Sequence, residues 1–261
     1  MSPGAVWTLP LAGVEDVAAG TYWLRFDVPP GLACEPGHFF MLSSPEAGAP
    51  FLGRPLSIGD VRDGSLRFLV RALGRGTAWF RTLPPGSLVR LVGPFGRPFA
   101  ARERPVHRLV AGGIGLAPFF YLARRLRATR PDARIELHYG ERSADAHVPL
   151  TGSEAELFDA VERCTDDGSL GARGTVVDGL DGQLEDPAAA WYACGPDPML
   201  RALAGRLERA GATEAQFSLE ERMACGFGVC QACIVPNRAG TPRYRLLCVD
   251  GPVVDPREVA W

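Results

Sequence analysis

The chain has 261 residues, of which 46% are hydrophobic and 22% charged. This length suits one large or two modest domains with buried cores, and the composition excludes a disordered chain. A formal net charge of −2 does not suggest a general nucleic-acid binder or a membrane-surface protein. All 28 basic residues are arginines, which also excludes a Schiff-base lysine and a phosphate-loop lysine.

The longest apolar run, the first twenty residues and the cysteine count indicate the cellular compartment of the protein. The longest largely apolar run, 109–123, is shorter than the roughly 20 residues that a membrane span needs. The first twenty residues have no basic start and carry Glu15 and Asp16, so we expect no secretory signal and a cytoplasmic protein. Disulfides are not expected there, so the seven cysteines need another explanation.

Residues 1–101 predict a small antiparallel β-barrel. Short β-type runs alternate with Gly- and Pro-containing turns, and no segment shows ten residues of helical periodicity. The runs are 21–26, 39–42, 56–58, 65–70 and 88–92.

Residues 102–212 predict a doubly wound parallel sheet, because buried-strand runs alternate with helical segments. The main strands are expected at 106–111, 134–139 and 191–194, with a first helix over 118–128. Ser153 and Glu156 match a capping box, which predicts a helix that carries Val161. Asp197 is the predicted N-cap of a later helix, with Pro198 at its first position.

Residues 213–261 are too few for a substantial core of their own, so this stretch needs a metal, a disulfide or a neighbour. It holds Cys225, Cys230, Cys233 and Cys248, spaced C-x4-C-x2-C-x14-C. The first three match the ligand run of plant-type [2Fe–2S] clusters, which thiolates hold because they are soft, charged donors. The sequence therefore predicts a small C-terminal [2Fe–2S] subdomain with these four ligands.

Structural zinc is the alternative for this cysteine set, since four thiolates also form a tetrahedral site. Zinc sites more often use two cysteine knuckles, whereas Cys248 stands alone. The short loop also favours a cluster, because Gly226 and Gly228 allow the backbone N–H groups to approach its sulfurs.

A glycine-rich turn lies between the first strand and the first helix of the α/β region. Gly112, Gly113 and Gly115 are followed by Pro118, where a dinucleotide fingerprint has its third glycine. A strand–turn–helix context predicts a nucleotide site with helix N–H groups facing a pyrophosphate. The alternative is a tight turn without a ligand.

Further motifs resemble the ferredoxin–NADP reductase superfamily. The flavin-type pair is Arg54-Pro55-Leu56-Ser57 and Gly74-Arg75-Gly76-Thr77. The nicotinamide-type pair is the glycine turn and Cys194-Gly195-Pro196. Together with the cysteine loop and the preceding Glu220-Glu221-Arg222-Met223, nearly the whole chain resembles, in order, the electron-transfer subunits of bacterial NAD-dependent dihydroorotate dehydrogenase B.

The resemblance implies an FAD site in the barrel. Arg54 would neutralise a flavin phosphate and Ser57 would hydrogen-bond near the ring, while Gly76 and Thr77 would approach the pyrophosphate. Leu56 replaces an aromatic residue of many superfamily members, so we expect no aromatic stacking there. The other implied flavin residues are Pro55 and the strand residues Leu69, Val70 and Arg71.

The resemblance also implies an NAD site. Its residues would be Gly112, Gly113, Gly115, Pro118, Cys194, Gly195 and Pro196. Cys194 stays ambiguous, because a thiol that ends a buried strand is also an ordinary core residue. The choice between NAD and NADP stays open too, since Arg142 after the second strand could favour a 2′-phosphate.

The function implied is electron transfer in pyrimidine biosynthesis. Electrons from a dihydroorotate-oxidising FMN subunit would pass through [2Fe–2S] and FAD to NAD, in a heterotetramer of two copies of each chain. The flavin is needed because it handles both electron pairs and single electrons. We predict no acid–base catalytic residue in this chain. The alternatives are an NAD(P)H-oxidising reductase that feeds an oxygenase, hydrogenase or ferredoxin, and a non-catalytic zinc- or cluster-bearing regulatory module.

Overall fold

The computed structural model describes residues 4–46 and 52–261. Its N-terminal part is a curled antiparallel sheet. The elements are β1 (Ala5–Ala18), β2 (Thr21–Asp27), β3 (Phe39–Ser43), β4 (Arg54–Ser57), β5 (Asp60–Arg62), β6 (Ser65–Arg71), the short helix α1 (Arg75–Arg81) and β7 (Leu88–Phe95). Within the described ranges the strand order is β4-β3-β7-β1-β2-β6-β5.

The sheet curls because β1 serves both of its halves. Its first part pairs with β7 and its second part with β2, and register shifts at Leu11/Gly13 and Asp16/Ala18 bend it. Alternate side chains point inward, where Phe26, Phe40 and Phe68 are fully buried and meet edge to face. The predicted antiparallel flavin-type domain is confirmed, and α1 is an addition that the pattern did not indicate.

A parallel sheet with flanking helices follows. The elements are β8 (Val106–Gly112), α2 (Ala117–Thr129), β9 (Arg134–Glu141), β10 (Ala160–Thr165), β11 (Ala172–Arg173), β12 (Ala189–Cys194), α3 (Asp197–Arg209) and β13 (Ala215–Ser218). Part of the strand order is β11-β10-β9-β8-β12-β13. The chain runs outward from β8 in both directions, so β8 and β12 flank the switch point where such sheets bind ligands.

The C-terminal stretch packs against both sheets. Its elements are β14 (Ile234–Pro236), β15 (Tyr244–Leu246), the short helix α4 (Leu247–Asp250) and β16 (Val253–Val254). The strand β16 pairs antiparallel with β13 and so extends the parallel sheet. The division at residue 212 stays a prediction, and β13 shows that the sheet continues beyond it. None of the described helices has the length and apolar character needed to cross a membrane.

Two local predictions are wrong. The capping-box helix is a single 3-10 segment, Gly152–Leu157, and Val161 lies in β10. Pairing of Ala160–Thr165 with β9 satisfies the backbone there and overrides the local helix signal. The helix α3 begins at Asp197 with Pro196 as its N-cap, one residue earlier than the sequence predicted.

Polar contacts hold the curled sheet against the α/β part. The Arg124 guanidinium makes two 2.9 Å bonds to the Asp60 carboxylate, and Arg67 lies 3.2 Å from Glu154. The linker between the two sheets is fixed at Ala100, whose N–H and C=O both bond to the Gln216 amide at 2.8 Å. These contacts fix the walls of the cleft between the two sheets.

We predict that His107 makes the fold acid-sensitive. It is fully buried beside Tyr192, and burial, with a smaller effect of the Arg130 charge, lowers its pKa to about 4. In the unfolded chain this imidazole titrates near 6.5, so the unfolded state binds more protons between the two values. The free energy of unfolding should therefore fall as pH drops from about 6.5 towards 4.

His107→Gln cannot take up this proton. Between pH 7 and pH 5 the variant should lose about 2 kcal/mol less of its free energy of unfolding than the wild type does, as measured by denaturant titration. Between pH 7 and pH 8 both proteins should behave alike. An equal loss at pH 5 would show that His107 is not the responsible group.

Candidate functional site

A cleft of about 200 Å³ opens between the curled sheet and the α/β part. Most of the residues predicted to hold a flavin line one wall of it. These are Pro55, Leu56 and Ser57 of β4, Leu69, Val70 and Arg71 of β6, and Thr77 of α1. Leu56 can therefore present an aliphatic surface, in place of an aromatic one, to a ring bound in the cleft.

Arg54 and Gly76, the two remaining flavin-type residues, lie against each other. A Cβ on Gly76 would stand 2.2 Å from Arg54 Nε, so a glycine at this position leaves room for the guanidinium. Arg54 donates to the Leu52 carbonyl at 2.6 Å, and no carboxylate in the described residues is within ion-pair distance of it. A cation without an acidic partner suits a phosphate.

Thr77 has a structural task in this turn. Its hydroxyl oxygen accepts hydrogen bonds from the N–H groups of Leu73 and Gly74, at 3.0 and 3.2 Å, and donates to the Gly74 carbonyl at 3.1 Å. The side chain therefore shapes the backbone that begins α1. Thr77 would therefore contribute to cofactor binding through the surface it exposes to the cleft, since its hydroxyl is already hydrogen-bonded within the turn.

The two turns of the predicted nucleotide site meet at the switch point. A Cβ on Gly115 would stand 2.2 Å from the Cys194 carbonyl oxygen, and one on Gly195 would stand 3.0 Å from the Gly112 Cα. The turns after β8 and β12 therefore touch backbone to backbone, which only glycine permits. Pro118, in the first turn of α2, lines the cleft on the same side.

Cys194 is a neutral, buried thiol. Its exposed fraction is 2%, burial raises the pKa of its thiol far above the ordinary range, and Ser218 is its hydrogen-bonding neighbour. A thiol of this kind packs at the end of β12 and does not ionise. The structure thus favours the packing interpretation for its side chain, while its carbonyl group packs on Gly115.

Sequence reasoning did not assign a role to the acidic segment that follows β13. Leu219, Glu220, Glu221 and Met223 all line the same cleft as the flavin-type residues. Glu220 is exposed to the cleft, and the protein atoms around its carboxyl raise its pKa by disfavouring the charged form. The signal in the sequence was the segment's position directly before the cysteine loop.

The four cysteines lie as two pairs. The Sγ atoms of Cys233 and Cys248 are 3.2 Å apart and buried, and the Cys230 N–H donates to Cys225 Sγ at 3.5 Å. Within the described ranges no three metal-binding side chains converge as a formed metal site. Nevertheless, the donor set fits an iron–sulfur cluster, because each iron of a [2Fe–2S] cluster takes two thiolates.

The loop around Cys225 is prepared for a thiolate. Burial raises the pKa of this thiol, but backbone N–H groups of Cys230, Phe227 and Val229 lower it more, to about 6. By contrast, burial and the neighbouring Cys233 raise the pKa of Cys248 to about 12. Donated N–H groups are what a cluster's sulfur ligands receive in proteins, and they raise its reduction potential.

The cysteine loop begins at the edge of the cleft. Met223 lines the cleft and Cys225 follows two residues later, so their Cα atoms are at most about 7.6 Å apart. The loop also packs on the curled sheet, where the rings of Phe227 and Phe95 have centroids 6.3 Å apart. A cofactor in the cleft and a cluster in the loop would therefore be neighbours.

Comparisons with known proteins identify the family of the chain. Residues 220–260 match the model of the iron-sulfur cluster binding domain of dihydroorotate dehydrogenase B. The chain is similar to the dihydroorotate dehydrogenase B (NAD(+)) electron transfer subunit of Desulforamulus reducens, with 33% identity over 98% of each chain. The corresponding Bacillus cereus subunit is 38% identical over 86% of each chain. An Aquifex aeolicus homolog is 32% identical over 93% of this chain and 94% of its own.

Solved structures show the same architecture. A chain of the NADH-dependent reduced ferredoxin-NADP oxidoreductase superimposes with a TM-score of 0.83 and 25% identity, covering 100% of this chain and 92% of its own. The ferredoxin NADP+ reductase of Neisseria gonorrhoeae, solved with bound FAD and NADP, gives 0.69 at 15% identity, covering 81% of this chain and 97% of its own. The latter likeness concerns the fold alone.

The fold and the cysteine domain define an oxidoreductase of the ferredoxin–NADP reductase type that uses FAD, an iron–sulfur cluster and NAD. With relatives above 30% identity along most of its length, the chain belongs to the family of dihydroorotate dehydrogenase B electron transfer subunits.

The Arg54–Gly76 contact yields a prediction. Gly76→Ala should weaken FAD retention at least about tenfold, because the added methyl group displaces the Arg54 guanidinium. Alanine would otherwise favour the helix, so a loss cannot be attributed to helix propensity. FAD content per chain, measured by absorbance after purification and dilution, is the readout.

Gly74→Ala is the matched control. Gly74 lies in the same turn at an extended backbone conformation, and a Cβ there meets no atom within 4 Å. This variant should retain FAD like the wild type. Full occupancy in Gly76→Ala would contradict the phosphate role of Arg54.

Proposed function

We propose that the chain carries electrons to NAD. The electrons come from a partner subunit that oxidises dihydroorotate. The main support is the continuity of the site: the segment Leu219–Met223 forms a wall of the flavin-type cleft and leads directly into the cysteine loop. Bound FAD would convert between the electron pairs of nicotinamide and the single electrons of an iron–sulfur cluster. The chain's own residues supply placement and tuning.

The proposed roles follow the geometry. Arg54, close to Gly76 and without an acidic partner among the described residues, binds a flavin phosphate, and the strand residues of β4 and β6 hold the ring in the cleft. Cys225, Cys230, Cys233 and Cys248 ligate the cluster. The glycine turns after β8 and β12 receive the NAD pyrophosphate and nicotinamide, with Pro118 and Glu220 lining the adjoining cleft.

An apolar face at the cysteine loop supports a protein partner. Phe227 and Val229 are 51% and 74% exposed, and Ile234 and Tyr244 of the β14–β15 hairpin are exposed as well. Exposed apolar residues that lie together mark interaction sites, and Phe227 and Val229 directly precede the exposed ligand Cys230 in the chain. We assign the face, Phe227, Val229, Ile234 and Tyr244, to docking of an FMN-containing catalytic subunit, in a heterotetramer.

A cytoplasmic location is part of the same proposal, because cluster thiols must stay reduced. The direction of electron flow distinguishes the main alternative, an NAD(P)H-oxidising reductase component. The structural likeness to an NADH-dependent reduced ferredoxin-NADP oxidoreductase favours that alternative, whereas the relatives at 32–38% identity favour the dihydroorotate-linked role.

The deciding experiment is an assay of NAD reduction by dihydroorotate. The chain is co-expressed with a dihydroorotate-oxidising FMN subunit, and NADH formation is followed with the complex and with each subunit alone. We expect NADH only from the complex. Reduction of ferredoxin by NADPH, without any dihydroorotate-dependent activity, would establish the alternative.

We predict that Cys230→Ser separates the two halves of the pathway. The exposed serine ligand replaces a soft thiolate, so visible absorption and iron content of the cluster should fall by half or more. Reduction of the flavin by NADH should persist, because the cleft and glycine turns are untouched. Unchanged iron content would contradict the ligand assignment.

Docking has its own prediction. Val229→Asp should weaken association with the catalytic subunit at least about tenfold, since a carboxylate would be buried in an apolar interface. Leu88→Asp is the matched control, because Leu88 is 52% exposed at the opposite end of the β7 strand whose Phe95 contacts the cysteine loop. Both variants should keep FAD and iron. Equal affinity in a binding titration of wild type and Val229→Asp would exclude this face.

A further inference from the structure

Glu141 occupies a position with a familiar task in dinucleotide-binding sheets. The strand β9, which it ends, pairs with β8, which carries the glycine turn. An acidic residue at the end of this second strand usually binds the ribose hydroxyls of NAD. Here, however, the Glu141 side chain is 1% exposed, so it is not available to a ribose.

Its carboxylate is bound within the protein instead. The Tyr139 hydroxyl donates to Oε1 at 2.8 Å, Arg71 Nη1 donates to Oε2 at 3.2 Å, and Arg71 Nη2 donates to Oε1. Tyr139 is itself fixed, since its oxygen accepts the Val148 N–H at 3.3 Å. Arg71 belongs to β6 of the curled sheet, so the pair joins the flavin-type half to the nucleotide half.

Counting the donors of Arg71 shows what is left over. A guanidinium has five N–H groups. Nε donates to Thr21 Oγ1 at 3.1 Å, one Nη1 hydrogen goes to Glu141, and Nη2 serves Glu141 and the Ala146 carbonyl at 3.4 Å. Within the described residues, one N–H on Nη1 remains.

That Nη1 atom lies at the glycine turn. A Cβ on Gly113 would stand 3.3 Å from Arg71 Nη1 and 4.0 Å from Glu141 Oε2. Gly113 has a φ of +58° and no side chain to cover the guanidinium. The remaining donor is therefore beside the backbone at which a dinucleotide's phosphates are expected.

The geometry points to Glu141 as a positioning residue that holds Arg71 beside Gly113, so that Arg71 contacts the pyrophosphate of the nicotinamide dinucleotide. This inference rests on the proposed function in that it takes NAD as the ligand of the glycine turn. It assigns Arg71 to the nicotinamide dinucleotide, whereas the sequence resemblance places it with the flavin. Glu141 itself contacts no ligand.

Holding the side chain in advance has a physical benefit. Arginine loses much rotamer freedom when it is immobilised, and here that loss occurs on folding, before the ligand arrives. The bidentate carboxylate and the Thr21 hydroxyl fix the plane of the guanidinium. Without Glu141 the side chain would be free to leave the turn.

The test compares NAD binding to variants of the chain loaded with FAD and its cluster. Glu141→Gln keeps an oxygen that accepts from Tyr139 but loses the charge that holds Arg71. Glu141→Gln and Arg71→Gln should each weaken NAD⁺ binding about tenfold, measured by isothermal titration calorimetry. Because Glu141 acts through Arg71, the double variant should bind no more weakly than Arg71→Gln alone.

Asp60→Asn is the matched control. It breaks the Asp60–Arg124 pair, which is also bidentate and also joins the two halves, but is not part of the glycine turn. It should lower the melting temperature and leave NAD⁺ affinity unchanged. Its melting temperature measures what the loss of such an interdomain pair does to stability alone.

The outcomes are distinct. Unchanged or tighter NAD⁺ binding by Glu141→Gln, with a melting temperature lowered as in Asp60→Asn, would reduce the pair to a structural latch and overturn the inference. Fully additive losses in the double variant would also overturn it. Absence of dihydroorotate-dependent NAD reduction by the wild-type complex would overturn the proposed function. The NAD⁺ affinities of the isolated chain and its variants would still decide the role of Glu141.

Discussion

The segment that leaves β13 at Ser218 and reaches Cys225 fixes the relation between the cleft and the cysteine loop. Its side chains form one wall of the cleft, and its length leaves no room for a cluster site far from that wall. Pairing of β13 with β12 and of β16 with β13 anchors both ends of the C-terminal stretch in the parallel sheet. Electron transfer between sites depends steeply on separation, so this anchoring is the constraint that the other elements serve.

The need for a fixed distance between the cleft and the cysteine loop also explains how the two halves are joined. The curled sheet and the α/β part meet through arginine–carboxylate pairs, among them Arg124–Asp60, Arg67–Glu154 and Arg71–Glu141. A planar guanidinium that binds a carboxylate with two parallel bonds fixes orientation as well as distance. All 28 Lys-or-Arg positions of the chain are arginines, and its net charge is close to zero. Arginine–carboxylate pairs between the two halves therefore suit a cleft of fixed shape.

The sequence predicted those features that local chemistry determines. The cysteine loop, the glycine turn and each half of the flavin-type pair are short sequence motifs, and the alternation of strands with helices predicted the parallel sheet. Prediction from the sequence failed where pairing between residues far apart in the chain determines the secondary structure. The capping box at Ser153 was overridden by strand pairing at Ala160, and β13 continued the sheet beyond the expected boundary. No local pattern relates Arg71 to Glu141, because they are 70 positions apart and meet only after folding.

Glu141 shows why a residue's place in a motif does not settle its task. An acid at the end of the second strand would, by position alone, be assigned to a ribose. Burial changes that assignment: a carboxylate taken out of water must be paired, and the Glu141 carboxylate is buried against Arg71 and Tyr139, where a ribose does not reach it. The charge at the glycine turn is then supplied from the flavin-type half of the molecule. The nucleotide site is consequently complete only when the two halves are docked, which ties nucleotide binding to the geometry that electron transfer needs.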